Sequence, residues 1–316
     1  MALYLVTGGA GFIGSHITTA LVGRGDSVRV LDIAESTENL DHMQVGAYGS
    51  GAPVEFLRGD IRDADACAKA CDGVFGVFHE AAQVSVPASV EDPETSFAIN
   101  VTGTLRVLEA ARASGVERAV FAASSAAYGD DHTLPKVETQ TPKPLSPYAA
   151  GKVAGESLMS VWGSVYGMRT VSLRYFNVFG PRQADNSPYS GVIALFARML
   201  LEGKLPRIYG DGEQTRDFVF ATDVARANLA AMDTDCDPGE VFNVGTSDSV
   251  SVNELFRNMA EICGVEGDAE RLPQRSGDVK HSRASIDKIR EVLGFSPEVD
   301  LRTGLAETLA WYRGQR

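Results

Sequence analysis

The chain has 316 residues, 44% of them hydrophobic, enough to bury the core of one large or two small domains. Its net charge of −13 argues against a nucleic-acid binder, and no stretch nears the ~18 uninterrupted apolar residues of a membrane span. The first strand-like run starts at Leu3, leaving no room for a secretory leader, and Cys67, Cys71, Cys236 and Cys263 form no C-x-x-C pair. A reduced, cytoplasmic protein without a metal site is expected.

From the N-terminus, LYLVTG (3–8) reads as a strand that runs into TGGAGFIGSH, where Gly8, Gly11 and Gly14 are spaced G-x-x-G-x-x-G before a helix at 12–23. Glycines at that spacing permit a tight turn and close approach of a pyrophosphate, which the free amides of the following helix can bind. A second strand, SVRVLD (27–32), ends in Asp32, near the ~20-residue offset at which a carboxylate hydrogen-bonds an adenine ribose. No arginine follows in DIAES, so a 2′-phosphate would be repelled and NAD is favoured over NADP. A third strand (53–60) ends at Asp60, which with Ile61 would bracket the adenine; a plain strand-ending acid is the other reading.

Further strands at 73–82, 118–124 and 169–177 alternate with helices at 63–71, 96–113 and 149–165. Apolar strands separated by helices predict an α/β fold with a Rossmann-type doubly wound parallel sheet. SPYAAGK (146–152) opens the last of these helices and places Tyr148 and Lys152 at i and i+4, on one face. A phenol is a poor base at its ordinary pKa near 10, and a fixed neighbouring cation favours the phenolate. Taken alone, the same spacing also describes an ordinary exposed helix face.

After Asn177 the rhythm breaks into GPRQADNSPYSG, followed by helices near 191–203, 222–232, 251–263, 284–293 and 302–314 and a short strand at 240–245. The expected division is a dinucleotide-binding domain over 1–177 plus roughly 220–247. A smaller, discontinuous domain over 178–219 and 248–316 would cover the sheet's C-terminal edge, where ligands of open α/β sheets bind.

In this order, TGGAGFIG, HEAAQ (79–83), N-V-x-G-T (100–104), ASSAAYG (123–129), PYAAGK, LRYFNVFGPRQ (173–183) and TRDFVF (215–220) closely resemble extended short-chain dehydrogenase/reductases, the NAD-dependent epimerase/dehydratase family. The resemblance covers essentially the whole chain. With SGDVKHS (276–282), LPKVE (134–138) and PLSPYA (144–149), it lies nearest bacterial UDP-N-acetylglucosamine 4-epimerases and their UDP-glucose 4-epimerase relatives.

The resemblance implies Tyr148 as catalytic base, Lys152 as its electrostatic partner and a ribose ligand, and Ser124 as the hydroxyl bridging tyrosine and substrate. It implies NAD contacts from Gly8, Gly11, Phe12, Ile13 and Gly14, from Asp32, Ile33, Asp60 and Ile61, and from Ala81, Ala82, Gln83, Asn100, Tyr175 and Phe176. Arg216 and Arg275 would hold a diphosphate, Tyr209 a uracil and Asp278 a uridine ribose, with Asn177 on the diphosphate or the sugar and Ser85, Ser125 and Gln183 as further substrate contacts. Ser282 stands where a small residue leaves room for an N-acetyl group, which favours N-acetylated sugars; a mere packing serine with UDP-glucose as main substrate is the other reading. Val84, at a position that varies among subgroups, leaves the preference open.

Sibling dehydratases and decarboxylases carry an acid soon after the catalytic Ser or Thr, whereas Ser124 is followed by Ser125, Ala126 and Ala127. The implied activity is therefore 4-epimerisation of UDP-GlcNAc and UDP-GalNAc, with UDP-glucose and UDP-galactose as further candidates, through a 4-keto sugar. A UDP-glucose 4-epimerase without N-acetyl preference, or another nucleotide-sugar epimerase, dehydratase or reductase, is the alternative. The resemblance also implies a homodimer through the helices near 96–113 and 149–165.

Overall fold

Alternation of buried strands with helices builds a layered sheet whose connections position every candidate site residue. The computed structural model describes residues 1–184, 191–273 and 280–315. The first half contains β1 (Leu3–Thr7), α1 (Phe12–Gly23), β2 (Ser27–Asp32), β3 (Val45–Ala47), β4 (Val54–Arg58), α2 (Ala64–Cys71) and β5 (Gly76–His79). There follow α3 (Val86–Glu91), α4 (Pro93–Phe97), a π turn (Ala98–Gly103), α5 (Thr104–Ala113), β6 (Arg118–Ser124), α6 (Pro147–Tyr166) and β7 (Arg169–Tyr175). The second half holds β8 (Asn177–Phe179), α7 (Val192–Leu201), β9 (Arg207–Tyr209), β10 (Thr215–Arg216), β11 (Phe218–Phe220) and α8 (Ala221–Asp233). It closes with β12 (Glu240–Val244), β13 (Val250–Ser251), α9 (Val252–Cys263), β14 (Glu270–Leu272), α10 (Asp287–Leu293) and α11 (Leu301–Gly314).

Eight parallel strands form the main sheet in the order β12-β7-β6-β5-β1-β2-β4-β3. The chain builds outward from β1 to β4, then returns to lay β5 on the other side of β1. This reversal opens a crevice beyond the C-terminal ends of β1 and β5, the place where doubly wound sheets hold ligands.

Side chains alternate faces along each strand. From β1, Tyr4 and Val6 enter the core shared with α1 and α8, while Leu5 enters the opposite core with Leu31, Val77, Phe121, Met159 and Trp162. A third core joins Phe179, Phe218 and Phe220 to Phe196, Leu255 and Leu305 of α7, α9 and α11. Full burial of each such side chain stabilises by roughly 1.5–3 kcal/mol.

Two expectations are corrected here, and one strand is added. The strand expected at 73–82 is confined to 76–79, because residues from Glu80 onward leave the sheet as a loop. The helix expected from 96 starts at 86 and breaks at Asp92, whose backbone (φ −134, ψ 80) is held out of helical geometry before Pro93 while its carboxylate caps Thr95 N. The short edge strand β3 lies in a glycine-rich segment that carried no strand pattern.

The small residues in and just after SPYAAGK include glycines with a packing reason. Ser146 caps α6 by accepting from Ala149 N at 3.1 Å, with Pro147 in the first turn. A Cβ on Gly155 would sit 2.3 Å from Phe121 Cζ, and one on Gly151 would sit 3.1 Å from Asn100 Cβ. α6 therefore lies directly on β6 and the π turn.

Candidate active site

The turn after β1 forms the first wall of the crevice. Gly8 adopts φ +68, and a Cβ there would meet Ala81 N at 2.8 Å; one on Gly14 would meet Gly8 O at 2.2 Å. Gly11 caps α1 without a side chain, so the first amides of the helix have no side-chain partner, and Phe12 and Ile13 form its first turn. The Asp32 carboxylate, at the tip of β2, accepts from Ala10 N and Ala34 N at 3.0 Å each, which fixes it against the glycine turn, with Ile33 65% exposed beside it. Asp60 is paired with Arg62, which holds its carboxyl below the usual range. The Ile61 side chain packs in the core against Gly103, and its carbonyl accepts from Cys67 Sγ at 3.1 Å.

Across the crevice, Ala81, Ala82 and Gln83 form the loop after β5. Ala81 N donates to the Thr7 hydroxyl at 3.2 Å. Asn100 is 2% exposed and spends its amide on Gln83, accepting from Gln83 N at 2.9 Å and donating to Gln83 O at 3.0 Å. It positions the loop. Ser85 caps α3, accepting from Ala88 N at 3.2 Å.

Ser124 ends β6 and accepts from Ala126 N at 3.2 Å; Ser125 opens the short helical turn that follows. Tyr148, anchored through its amide to the Ser89 hydroxyl at 3.1 Å, directs its phenol to the Ser124 side chain. Burial raises the phenol pKa and the Ser124 hydrogen bond lowers it, with burial the larger effect. Lys152 is 3% exposed and donates from Nζ to Ala122 O at 2.7 Å. Burial pushes its pKa down to about 8 against the attraction of the Glu80 carboxylate.

The Lys152 ammonium is directed to the end of β6 and lies in the field of the Glu80 carboxylate, while burial is what raises the Tyr148 phenol above its ordinary value.

Two acids at the site escaped the sequence reading. Burial raises Glu80 to about 7, and its Oε1 accepts from Tyr175 Oη at 2.9 Å. Asn228 of α8 donates in turn to Tyr175 Oη at 2.7 Å. Asp217 is 0% exposed, accepts from Thr246 N, Thr246 Oγ1 and Ala284 N, and has its pKa raised by burial. The available signal for both was an acid inside an otherwise apolar or small-residue run, HEAA and RDFVF.

Residues 280–282 run beside β10, where Thr215 N donates to Lys280 O at 3.0 Å and Ser282 N to Thr215 O at 3.1 Å, one residue before Arg216. Arg216 Nη1 donates to Thr215 O at 2.9 Å. Asn177 is exposed at the head of β8, Tyr209 ends β9, and the Gln183 amide donates to Val178 O. Phe176 is buried next to Tyr175. Arg275 and Asp278 lie outside the described residues.

A glycine cradle that any Cβ would fill, uncapped helix amides and a fixed carboxylate two strands wide of the switch point together suit a dinucleotide. The model of the NAD dependent epimerase/dehydratase family matches residues 4–245. The chain belongs to this family. Its cofactor is NAD.

As a member of the epimerase/dehydratase family, the chain is 40% identical over 315 residues to UDP-glucose 4-epimerase of Mycolicibacterium smegmatis, with 98% of each chain covered. A UDP-N-acetylglucosamine 4-epimerase from Methanobrevibacter ruminantium, solved in complex with UDP-N-acetylmuramic acid, superposes with TM-score 0.93 at 36% identity, covering 100% of this chain and 99% of that one. A UDP-glucose 4-epimerase of Thermus thermophilus in complex with NAD gives TM-score 0.87 at 38% identity, covering 99% and 100%. Among the described residues, no helix is long and apolar enough to cross a membrane.

Proposed function

We propose that the chain is an NAD-dependent UDP-hexose 4-epimerase, an isomerase that acts on UDP-GlcNAc and UDP-GalNAc. The carrying observation is the hydrogen-bonded Ser124–Tyr148 pair, with Lys152 buried one helical turn after Tyr148 and no carboxylate at 125–127 directly after Ser124. Bound NAD supplies a hydride acceptor and a positive charge. As the phenolate, Tyr148 would take the proton from the sugar C4 hydroxyl while hydride leaves C4, with Ser124 orienting that hydroxyl. Once the 4-ketose has turned its opposite face, the phenol would return the proton to the C4 oxygen as the hydride comes back to C4. Lys152 uses one of its three N–H donors on Ala122 O, which leaves two for ribose hydroxyls.

The uridine diphosphate end is assigned to Tyr209, Arg216, Arg275 and Asp278, where guanidinium forks suit phosphate oxygens. These segments, 178–219 and 248–316, form the proposed sugar-nucleotide-binding part, and 1–177 with roughly 220–247 the cofactor-binding part. The proposed preference for N-acetylated substrates rests on the small side chain of Ser282, whose backbone pairs with Thr215 next to Arg216. Plain UDP-glucose and UDP-galactose remain the second reading, favoured by the relative from Mycolicibacterium smegmatis.

A homodimer through α5 and α6 is proposed because Val161, Val165 and Tyr166 leave an exposed apolar strip on α6. A reducing, cytoplasmic setting fits four free cysteines, two of them with thiols pushed up to about 12 by burial.

The deciding experiment incubates the purified protein with each of the four UDP-sugars, without added NAD, and resolves products by NMR. Interconversion of the N-acetylated pair is expected. Failure of all four to interconvert would overturn the epimerase reading, and accumulation of reduced cofactor would mark a dehydrogenase.

A further inference from the structure

Glu80 has no part in the chemistry just described, yet it stands on the loop after β5 with two of the site's elements directed at it. Tyr175 of β7 donates to its Oε1 at 2.9 Å, and Asn228 of α8 fixes that phenol by donating to it at 2.7 Å and to Val224 O at 2.9 Å. From α6, Lys152 donates to Ala122 O on β6, and in the β5–β6 register His79 pairs with Phe121, so Glu80 follows β5 level with Ala122 and feels the ammonium as a nearby charge rather than as a contact ion pair. His79, next to it on β5, is neutral: its ring is held between Thr7 and Thr104 and burial lowers its pKa to about 3. Among the described residues, Glu80 is thus the one carboxylate acting on the Lys152 ammonium.

We propose that Glu80 is a positioning residue whose carboxylate, oriented by Tyr175 and Asn228, holds the positive charge on Lys152 and so sets the upper pH limit of turnover. A buried ammonium loses its proton readily unless an opposite charge favours the charged form. Glu80 supplies that charge once it ionises, and burial alone acts on Lys152 when it does not. The Tyr175 hydrogen bond favours the ionised carboxyl and so extends the pH range over which the hold operates.

The inference rests on the epimerase reading, and its test separates the two. NMR of isotope-labelled lysine follows the Lys152 ammonium through a pH titration in the protein with its cofactor bound, with Lys152→Arg identifying the signal and no substrate present. Glu80→Gln is expected to lower the Lys152 pKa by about one unit, and Glu80→Asp to restore most of it. Tyr175→Phe, in case Glu80→Gln fails to fold, should give a smaller shift in the same direction. In the turnover assay the basic limb of the kcat profile should move to lower pH by the same amount. An unchanged Lys152 titration in both Glu80→Gln and Tyr175→Phe overturns the proposal. So does a fall in kcat that is equal at every pH with Lys152 unmoved, which would make Glu80 a direct proton donor. If no UDP-sugar turns over but Lys152 shifts as expected, the charge assignment stands and the epimerase reading falls.

Discussion

Tyr148 carries the proton transfer in the proposed reaction, and its phenol has no equivalent in phenylalanine. Tyr148→Phe keeps the ring that packs at the start of α6, so the fold and the glycine cradle are retained. Loss of a positioned general base costs roughly 10²–10⁴-fold, and kcat should fall by that factor with bound NAD unchanged, as read by turnover and cofactor content. Near-normal turnover would remove Tyr148 from the mechanism. Ser282→Tyr adds a ring beside β10, where residues 280–282 pass Arg216, and should abolish turnover of the N-acetylated pair while sparing UDP-glucose. Equal loss on every sugar would contradict the pocket assignment. The Tyr148 and Lys152 pair was legible from helical spacing, and Ser124 from the resemblance of its motif to the family. Glu80 was not, since its environment is made by residues 152, 175 and 228, which only the sheet brings to it.

The turn between β1 and α1 depends on close backbone approach, which makes its glycines unequal. A Cβ on Gly14 would lie 2.2 Å from Gly8 O, so Gly14→Ala must push the turn apart. Overpacking of this kind costs about 1–3 kcal/mol, and here it also displaces the amides proposed to hold pyrophosphate. Gly14→Ala should therefore lower both the unfolding midpoint and the NAD retained on purification. Gly23, at the other end of the same helix, has open space around its Cβ position and an ordinary φ, and Gly23→Ala should be neutral or stabilising by up to about 1 kcal/mol. Equal NAD loss in both variants would mean that the helix, rather than the turn, is what fails. At this scale the sheet strands and long helices were readable from periodicity. The break at Asp92 and the early end of β5 were not, because a cap and a loop tied down by Asn100 decide them.

Across the whole molecule, two neutral histidines tie separate layers together. His79 sits between β1 and α5: with the Thr104 hydroxyl proton donated to Asn100 O at 2.8 Å, the ring's Nε2–H donates to Thr104 at 2.9 Å and Nδ1 accepts from Thr7 at 2.7 Å. His16 of α1 hydrogen-bonds Pro181 O at 3.0 Å, linking the cofactor turn to the segment after β8. Burial lowers His79 to about 3 and His16 to about 4 from an ordinary value of 6.5. Between those limits the unfolded chain binds protons that the folded chain does not, so stability is lost as pH falls from 6.5 toward 3. For His79 alone the full loss is on the order of 5 kcal/mol. Glu80, raised to about 7, acts in the opposite sense, its contribution being lost as pH rises from about 4.5 to 7, so wild-type stability alone mixes the two. Comparison with His79→Gln cancels the Glu80 contribution. Urea denaturation between pH 6.5 and 4 should show stability falling more steeply with acid in the wild type than in His79→Gln, and parallel slopes would show that His79 is not held neutral in the fold.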